Sequence, residues 1–567
     1  MNQFLQKYEN ELFLQYKNTI PMNDNSFTLS GQIVDLVQSR IFPGTITVSD
    51  GKIAEITEIP SAETRYIMPG FIDAHIHIES TMVPPSEFAR MAVCHGTVAA
   101  VSDPHEIANV MGVEGINYMI KSGNKGHFKF YFGAPSCVPA TPFETAGCTL
   151  NADAIEQLMA RDDIYYLSEM MNYPGVLAND PDIMKKLEAA RRQGKPIDGH
   201  APMVTGEDIK KYINSGISTD HECYSIEDAI EKLKLGMKIL IREGSAAKNF
   251  DALIPLMTDY SEMLMFCSDD KHPNDLIKGH INLLVKRALK KGYKLMSVLR
   301  AASLNAVRHY HLDVGLLQQG DDADFIVVDN LNDFNVMQTY VKGRKLAENG
   351  VSLMQQRKEM AINNFHATLI DAEDLRVTAH DEPMRVISCM DGNLITNTIV
   401  ATPKIVDGNI VSDTTRDLLK VVVFNRYTPS KPAIGFINQF GLKRGAIATS
   451  VAHDSHNIVA VGCSDEDIAR AINLLVCTKG GMVACSETEF SLLPLPVAGL
   501  MSLEEGKKVA EDYERADRLA HDFGCTLYSP FMTLSFMALL VIPELKLSDK
   551  GLFDVTHFQF TSLIIGE

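Results

Sequence analysis

Residues 68–77 read Met68-Pro69-Gly70-Phe71-Ile72-Asp73-Ala74-His75-Ile76-His77. The apolar run reads as a strand, and strand residues two apart face the same side, so His75 and His77 converge on one point. Imidazole is the commonest nitrogen ligand of zinc, iron and manganese, and two on one strand make a rigid start for a metal site. An H-x-H pair also caps strands innocently, so its meaning depends on its surroundings. Downstream, short apolar strands alternate with helical stretches. The strands are Val98-Ala99-Ala100-Val101-Ser102, Lys129-Phe130-Tyr131-Phe132-Gly133, Tyr165-Tyr166-Leu167-Ser168, Pro196-Ile197-Asp198 and Met263-Leu264-Met265-Phe266; residues 154–161 and 182–194 are helical. Alternation over ~230 residues argues for a parallel sheet with crossovers, and a TIM-like (β/α)8 barrel is the commonest solution at that length. His75 and His77 would then stand at its catalytic mouth.

Working outward, residues 28–60 form short strands punctuated by Pro43-Gly44 and by an Asp50-Gly51 hairpin. Strand character returns at Asp324-Phe325-Ile326-Val327-Val328-Asp329 and at residues 336–341, after a helix over 297–309. The simplest topology inserts the barrel into a small β-sandwich domain. Residues 1–66 are an N-terminal segment and the first half of that domain, 67–310 the metal-dependent barrel, and 311–345 the second half. Residues 346–567 form a separate C-terminal α/β domain, with strands near Val421-Val422-Val423 and Ile458-Val459-Ala460-Val461.

The barrel's strand ends carry the chemistry. Glu169 follows one apolar strand, His200 another, His221 comes next, and Asp269-Asp270 close the series. Barrel enzymes keep their reacting groups at such carboxyl ends. Two histidines, a carboxylate, two more histidines and a final aspartate are enough to hold two metal ions and an acid/base. Any one of them alone reads as a satisfied core histidine or a capping aspartate; six in order do not. Glu79, Asp103 and His105 follow the first and second strands at the same mouth, as proton donors or as loop caps and supports of a ligand histidine.

The chain has 567 residues, 53 basic against 72 acidic, for a net charge of −19. That sign disfavours polyanions, so nucleic acid is not expected as a partner. The amino terminus shows no apolar signal region, and residues 531–542, apolar but too short to span a bilayer, read as a buried helix. The expected protein is cytoplasmic, without a membrane partner. Ten cysteines include no C-x-x-C pair and read mostly as core. His453 and His456 could reach the mouth or, three apart, equally pack together on one helix face; by default they are expected to be structural.

The block from Met68 to His77 resembles the barrel-opening motif of the amidohydrolase superfamily, and Gly315-Leu316-Leu317-Gln318-Gln319-Gly320-Asp321-Asp322-Ala323-Asp324 resembles its closing motif. More narrowly, His77-Ile78-Glu79-Ser80-Thr81-Met82, Ser102-Asp103-Pro104-His105-Glu106-Ile107-Ala108-Asn109, Ser168-Glu169-Met170-Met171-Asn172-Tyr173-Pro174-Gly175 and Asp269-Asp270-Lys271-His272-Pro273 resemble the adenine deaminases. So do Ala452-His453-Asp454-Ser455-His456-Asn457 and Leu493-Pro494-Leu495-Pro496.

The resemblance implies hydrolysis of adenine to hypoxanthine and ammonia in purine salvage, on a binuclear divalent centre of Mn(II) or Fe(II), with Zn(II) also compatible. His75 and His77 would hold the more buried metal, Glu169 would bridge in place of a carbamylated lysine, and His200 and His221 would serve the second. Asp269, with Asp270 as the other choice, would ligate metal and shuttle protons. A homo-oligomer is expected. The alternatives are a cyclic-amide hydrolase of the dihydroorotase or allantoinase type, and a metal-free scaffold. His77-Ile78-Glu79 matches half of the H-x-E…P-C-x-x-C deaminase signature, but no cysteine pair completes it.

Overall fold

The computed structural model describes residues 26–245 and 247–566; the amino-terminal stretch expected to lack an apolar signal region lies outside the described residues. Among the described residues, eight parallel strands close the barrel: Phe71–Ile76, Thr97–Ser102, Lys129–Ala134, Tyr166–Met170, Ile197–Gly199, Thr219–Asp220, Lys238–Arg242 and Leu264–Cys267. The first and second strands are buried at every residue. Parallel strands covered on both faces read as continuous apolar runs rather than alternating ones, which is why they stand out in the sequence. The fifth and sixth strands join through Ser218 N–H donating to Ile197 O at 3.0 Å. Closure is at the eighth: Asp269 N–H donates to His75 O at 2.9 Å, and His77 N–H donates to Asp269 O at 3.3 Å.

The outer helices start where the sequence offers caps. Asn151, Asp180 and Ser225 side chains accept the first free N–H groups of the helices Ala152–Met159, Pro181–Arg192 and Ile226–Lys234. Each buries an apolar stripe; in Pro181–Arg192 it includes Ile183, Leu187 and Ala190.

The barrel is inserted in one continuous eight-stranded sheet. Its strands Phe27–Asp35, Arg40–Ser49, Lys52–Glu58 and Tyr66–Pro69 precede the barrel, and Phe325–Val328, Val336–Val341, Arg344–Glu348 and Val351–Ser352 follow it. The two layers of the expected sandwich are thus parts of one curled sheet. The strands of Phe27 and Tyr340 are three positions apart, about 14 Å in a flat sheet, yet their rings lie 5.4 Å apart. The Asp50-Gly51 hairpin, both residues at positive φ, completes the curl: Ala323 N–H donates to Gly51 O at 2.8 Å.

The C-terminal domain centres on a second eight-stranded sheet, mostly antiparallel, with Leu419–Phe424 and Ile458–Gly462 in its middle. Strand alternation sorts its two faces. Ala446, Ala448, Val483 and Cys485 pack with Ile468, Ile472 and Leu475 of the helix Asp465–Thr478. Ile447, Val459 and Val461 belong to the core that continues into the barrel. The domain is bolted over the barrel mouth by Ser502 N–H to Met82 O (2.8 Å) and Gly506 N–H to Glu87 Oε1 (2.9 Å). The expected helix over 531–542 is confined to Pro530–Ser535. There the Ser535 hydroxyl donates back to Met532 O, and the chain turns. Among the described residues no helix is long and apolar enough to cross a membrane.

Gly70 leads into the first barrel strand, and a Cβ there would lie 2.3 Å from a methyl of Val98, itself fully buried. Gly70→Ala is expected to cost about 1–3 kcal/mol through overpacking, read as a lower unfolding temperature. Gly435→Ala, where φ is not positive and a Cβ meets nothing closer than 3.5 Å, controls for the loss of glycine itself; equal melting of the two would contradict the close packing.

Candidate metal centre and active site

The first strand aims His75 and His77 into the barrel mouth, where their Nε2 atoms stand 3.2 Å apart. Asp269 Oδ1 completes a triangle, 3.5 Å from His75 Nε2 and 3.2 Å from His77 Nε2. Glu169 spans to a second set: Oε1 is 3.3 Å from His77 Nε2, and Oε2 is 2.8 Å from His200 Nδ1 and 3.3 Å from His221 Nε2. The His75 and His221 rings stack at 4.2 Å. All but His200 are buried.

These residues fit divalent cations. Three donor atoms of His75, His77 and Asp269 face one another across 3.2–3.5 Å with both imidazole Nε2 atoms pointing inward. One shared proton cannot satisfy that convergence, whereas a cation can. The mixed imidazole and carboxylate set suits first-row divalent metals. Of the two last-strand aspartates, Asp269 joins the histidines, while Asp270 accepts the Ser80 hydroxyl at 2.5 Å.

The expected acids lie on the same side. His105 Nδ1 sits 3.1 Å from Asp103 Oδ2 and 3.4 Å from Glu169 Oε1. The Asp103 carbonyl is 3.1 Å from His77 Nδ1 and orients that ring. Glu79 Oε1 accepts Ile107 N–H while Oε2 is buried without a partner, and burial raises its carboxyl to about 7. It is thus protonated for much of the time near neutrality, as a proton donor must be.

Beneath the histidines, Asp73 joins the first and eighth strands. Its carboxylate accepts Ser268 N–H at 3.0 Å, the Ser268 hydroxyl, and His280 Nε2 at 2.7 Å.

Sequence reasoning missed three participants. Arg242, at the end of the seventh strand, donates from Nη1 to Asp269 Oδ2 at 2.7 Å and also binds Glu222 and the Tyr224 hydroxyl. Its strand, Lys-Ile-Leu-Ile-Arg, ends in a charge that resembles an ordinary flank. Glu106 follows His105 and looks like a helix-start acid, yet its two oxygens bind His453 and His456. Those histidines, expected by default to be structural with the mouth as the other reading, lie on a loop of the C-terminal domain that reaches the barrel mouth. Only the folded chain brings positions so distant together. Asp454, between them, is 3% exposed.

Charge organises the cluster. Burial disfavours the Asp269 carboxylate, but Arg242 and the histidines outweigh it and hold the group well below the usual carboxylate range. Glu169 is likewise held low by His200, His221 and His77. Burial also disfavours imidazolium, but Asp269 and Glu169 keep His77 well above its ordinary value, and Glu169 raises His221 to about 9. Metal-free protein at pH 7 therefore carries protons on both rings. A cation needs neutral imidazole donors, so binding must expel those protons. Adding Mn(II) or Zn(II) to metal-free protein near pH 7 is expected to release protons, with affinity climbing as pH rises toward 9. Calorimetry in buffers of different ionisation enthalpy reads this directly; binding without proton release would contradict it.

The geometry has close relatives. Residues 66–346 match the amidohydrolase family, and residues 393–559 match the adenine deaminase C-terminal domain. An adenine deaminase of Methanosarcina barkeri is 53% identical over 549 residues, 95% of this chain and 100% of that protein. One from Salinibacter ruber is 54% identical, covering 95% and 99%, and one from Borreliella burgdorferi 46%, covering 94% and 99%. A solved β-aspartyl dipeptidase from Fervidobacterium islandicum is 16% identical with a TM-score of 0.45, over 58% of this chain and 99% of that one. With two family models and full-length relatives at about half identity, this chain belongs to the adenine deaminase family of the amidohydrolases.

Proposed function

We propose that this protein hydrolyses adenine to hypoxanthine and ammonia, as an enzyme of purine salvage. The observation that carries the proposal is the buried convergence of His75, His77, Glu169, His221 and Asp269 at one barrel mouth, in a chain with full-length adenine deaminase relatives. His75, His77 and Asp269 would hold one divalent cation, His200 and His221 a second, and Glu169 would bridge them. Mn(II) or Fe(II) suits this donor set first, with Zn(II) next. When bound, the cations supply Lewis acidity that makes water a competent nucleophile near neutral pH.

The side chains do the rest. Water adds to C6 of adenine, and Asp269 takes its proton and later returns it to the departing amine, so ammonia leaves as the C6 carbonyl forms. Arg242 holds Asp269 Oδ2 at 2.7 Å. That fixes the carboxylate with Oδ1 toward the histidines. A ring nitrogen must accept a proton as the C6 adduct forms. Glu79, with its carboxyl near 7 and an unpartnered Oε2, would give that proton and recover one from the adduct's hydroxyl as the C6 carbonyl forms, with His105 beside Asp103 as the other candidate. A cytoplasmic location and a homo-oligomeric assembly belong to the same proposal.

The test is ammonia release from adenine, adenosine, guanine and cytosine by protein reconstituted with Mn(II) or Fe(II). Release from adenine alone is expected, with Asp269→Ala slower by about 10³–10⁴-fold or more. No release from adenine would overturn the proposal. Arg242→Met is expected to lower kcat more than it raises KM, because it frees Asp269 without touching the base; an unchanged kcat would remove Arg242 from the mechanism.

A further inference from the structure

The loop 452–457 of the C-terminal domain is locked into the barrel mouth by Glu106. Glu106 Oε1 is 2.5 Å from His453 Nδ1, and Oε2 meets His456 Nε2. Ala452 N–H donates to His456 Nδ1 at 3.2 Å, so that ring carries its proton on Nε2 and gives it to Glu106. The His453 ring lies flat on Phe536, with centroids 4.5 Å apart and planes at 15°. Both neighbours of the Asp454–Ser455 pair are therefore fixed, and with them the direction in which Asp454 points.

Asp454 is 3% exposed and, among the described residues, its Oδ2 has no hydrogen-bond partner. It stands in a group with His105 and Glu106 whose polar atoms all lie within 4.8 Å of one another. His105 in turn is 3.4 Å from Glu169. The charges that act on Asp454 are His105, Glu106, His453 and Glu169, all at the mouth. Asp454 thus stands one side chain beyond the metal-facing residues, with an acceptor that nothing among the described residues fills. A buried carboxylate oxygen of this kind calls for a donor from whatever occupies the site.

The reacting carbon, C6, has to lie against the metal-facing residues. The far end of the base is then the five-membered ring, whose N9–H is the donor most distant from C6. We propose that Asp454 accepts the N9–H of the purine, so that the C-terminal domain is what selects a free base over an N9-substituted one. This rests on the adenine reading of the site and names the residue that reads the opposite edge of the substrate. Glu106, His453 and His456 are positioning residues that hold Asp454 in place. A site built to bond one N–H rejects an analogue lacking it by up to about 10⁴-fold, because the acceptor is left buried and unpaired.

The experiment measures kcat/KM for adenine and 9-methyladenine, with metal content, for the Mn(II)-loaded wild type, Asp454→Asn and Asp454→Ala. The wild type is expected to prefer adenine by at least about 10³-fold. Asp454→Ala is expected to lose about 10²-fold on adenine with little change on 9-methyladenine, and Asp454→Asn to fall between. A wild type that handles both bases within tenfold overturns the inference whatever the variants do. So does an equal loss on both bases, the mark of a purely structural role. A metal content that drops by one ion per chain in Asp454→Asn also overturns it, by making the group a third cation site. If the wild type releases no ammonia from adenine at all, it is the proposed function that fails.

Discussion

Two backbone hydrogen bonds on Asp269 hold the site together, because they tie the barrel's last strand to its first at the positions that carry the chemistry. Asp269 donates to His75 O and accepts from His77 N–H. The register between the two strands therefore also sets the distance between the acid and both histidines. One step below, Asp73 repeats the tie with side-chain bonds to Ser268 and His280. A shift of one residue would turn the histidines to the other face of the strand. Barrel closure and ligand geometry are one constraint here.

That constraint concentrates charge in a place where it is expensive. Asp269, Glu169, Glu106, Glu222 and Arg242 are all buried around a knot of histidines. Isolated ions in such surroundings would neutralise or draw in water. Each here has a partner of opposite sign: Arg242 for Asp269 and Glu222, His453 for Glu106, and His77, His200 and His221 for Glu169. Among the described residues, buried carboxylate oxygens without a hydrogen-bond partner include one each on Glu79, Asp103 and Asp454. On the proposed reading, these acceptors are free for the nitrogens of a planar base.

Much of this was legible in the chain because buried parallel strands announce themselves as apolar runs. Six of the barrel strands, the Asp50-Gly51 hairpin and the order of the candidate ligand residues were readable that way. Thr219–Asp220 was not, since a two-residue strand has no period, although His221 after it was found by its place in the series. Lys238–Arg242 gave no signal that separated it from a helix flank, and Arg242 was lost with it. The order of the C-terminal sheet also escaped, because Leu419–Phe424 pairs with Ala433–Asn438 on one side and Ile458–Gly462 on the other. The Glu106 contact with His453 and His456 depends on two domains docking, and local pattern carries no trace of it.

The Glu106 clasp also has a history within each molecule. The ribosome completes the barrel's strands long before it reaches His453, and at about 5–20 residues per second the wait is on the order of tens of seconds. During that interval Glu106 lacks both imidazoles, and the contact between barrel and C-terminal domain forms only once the trailing domain has been made and docks.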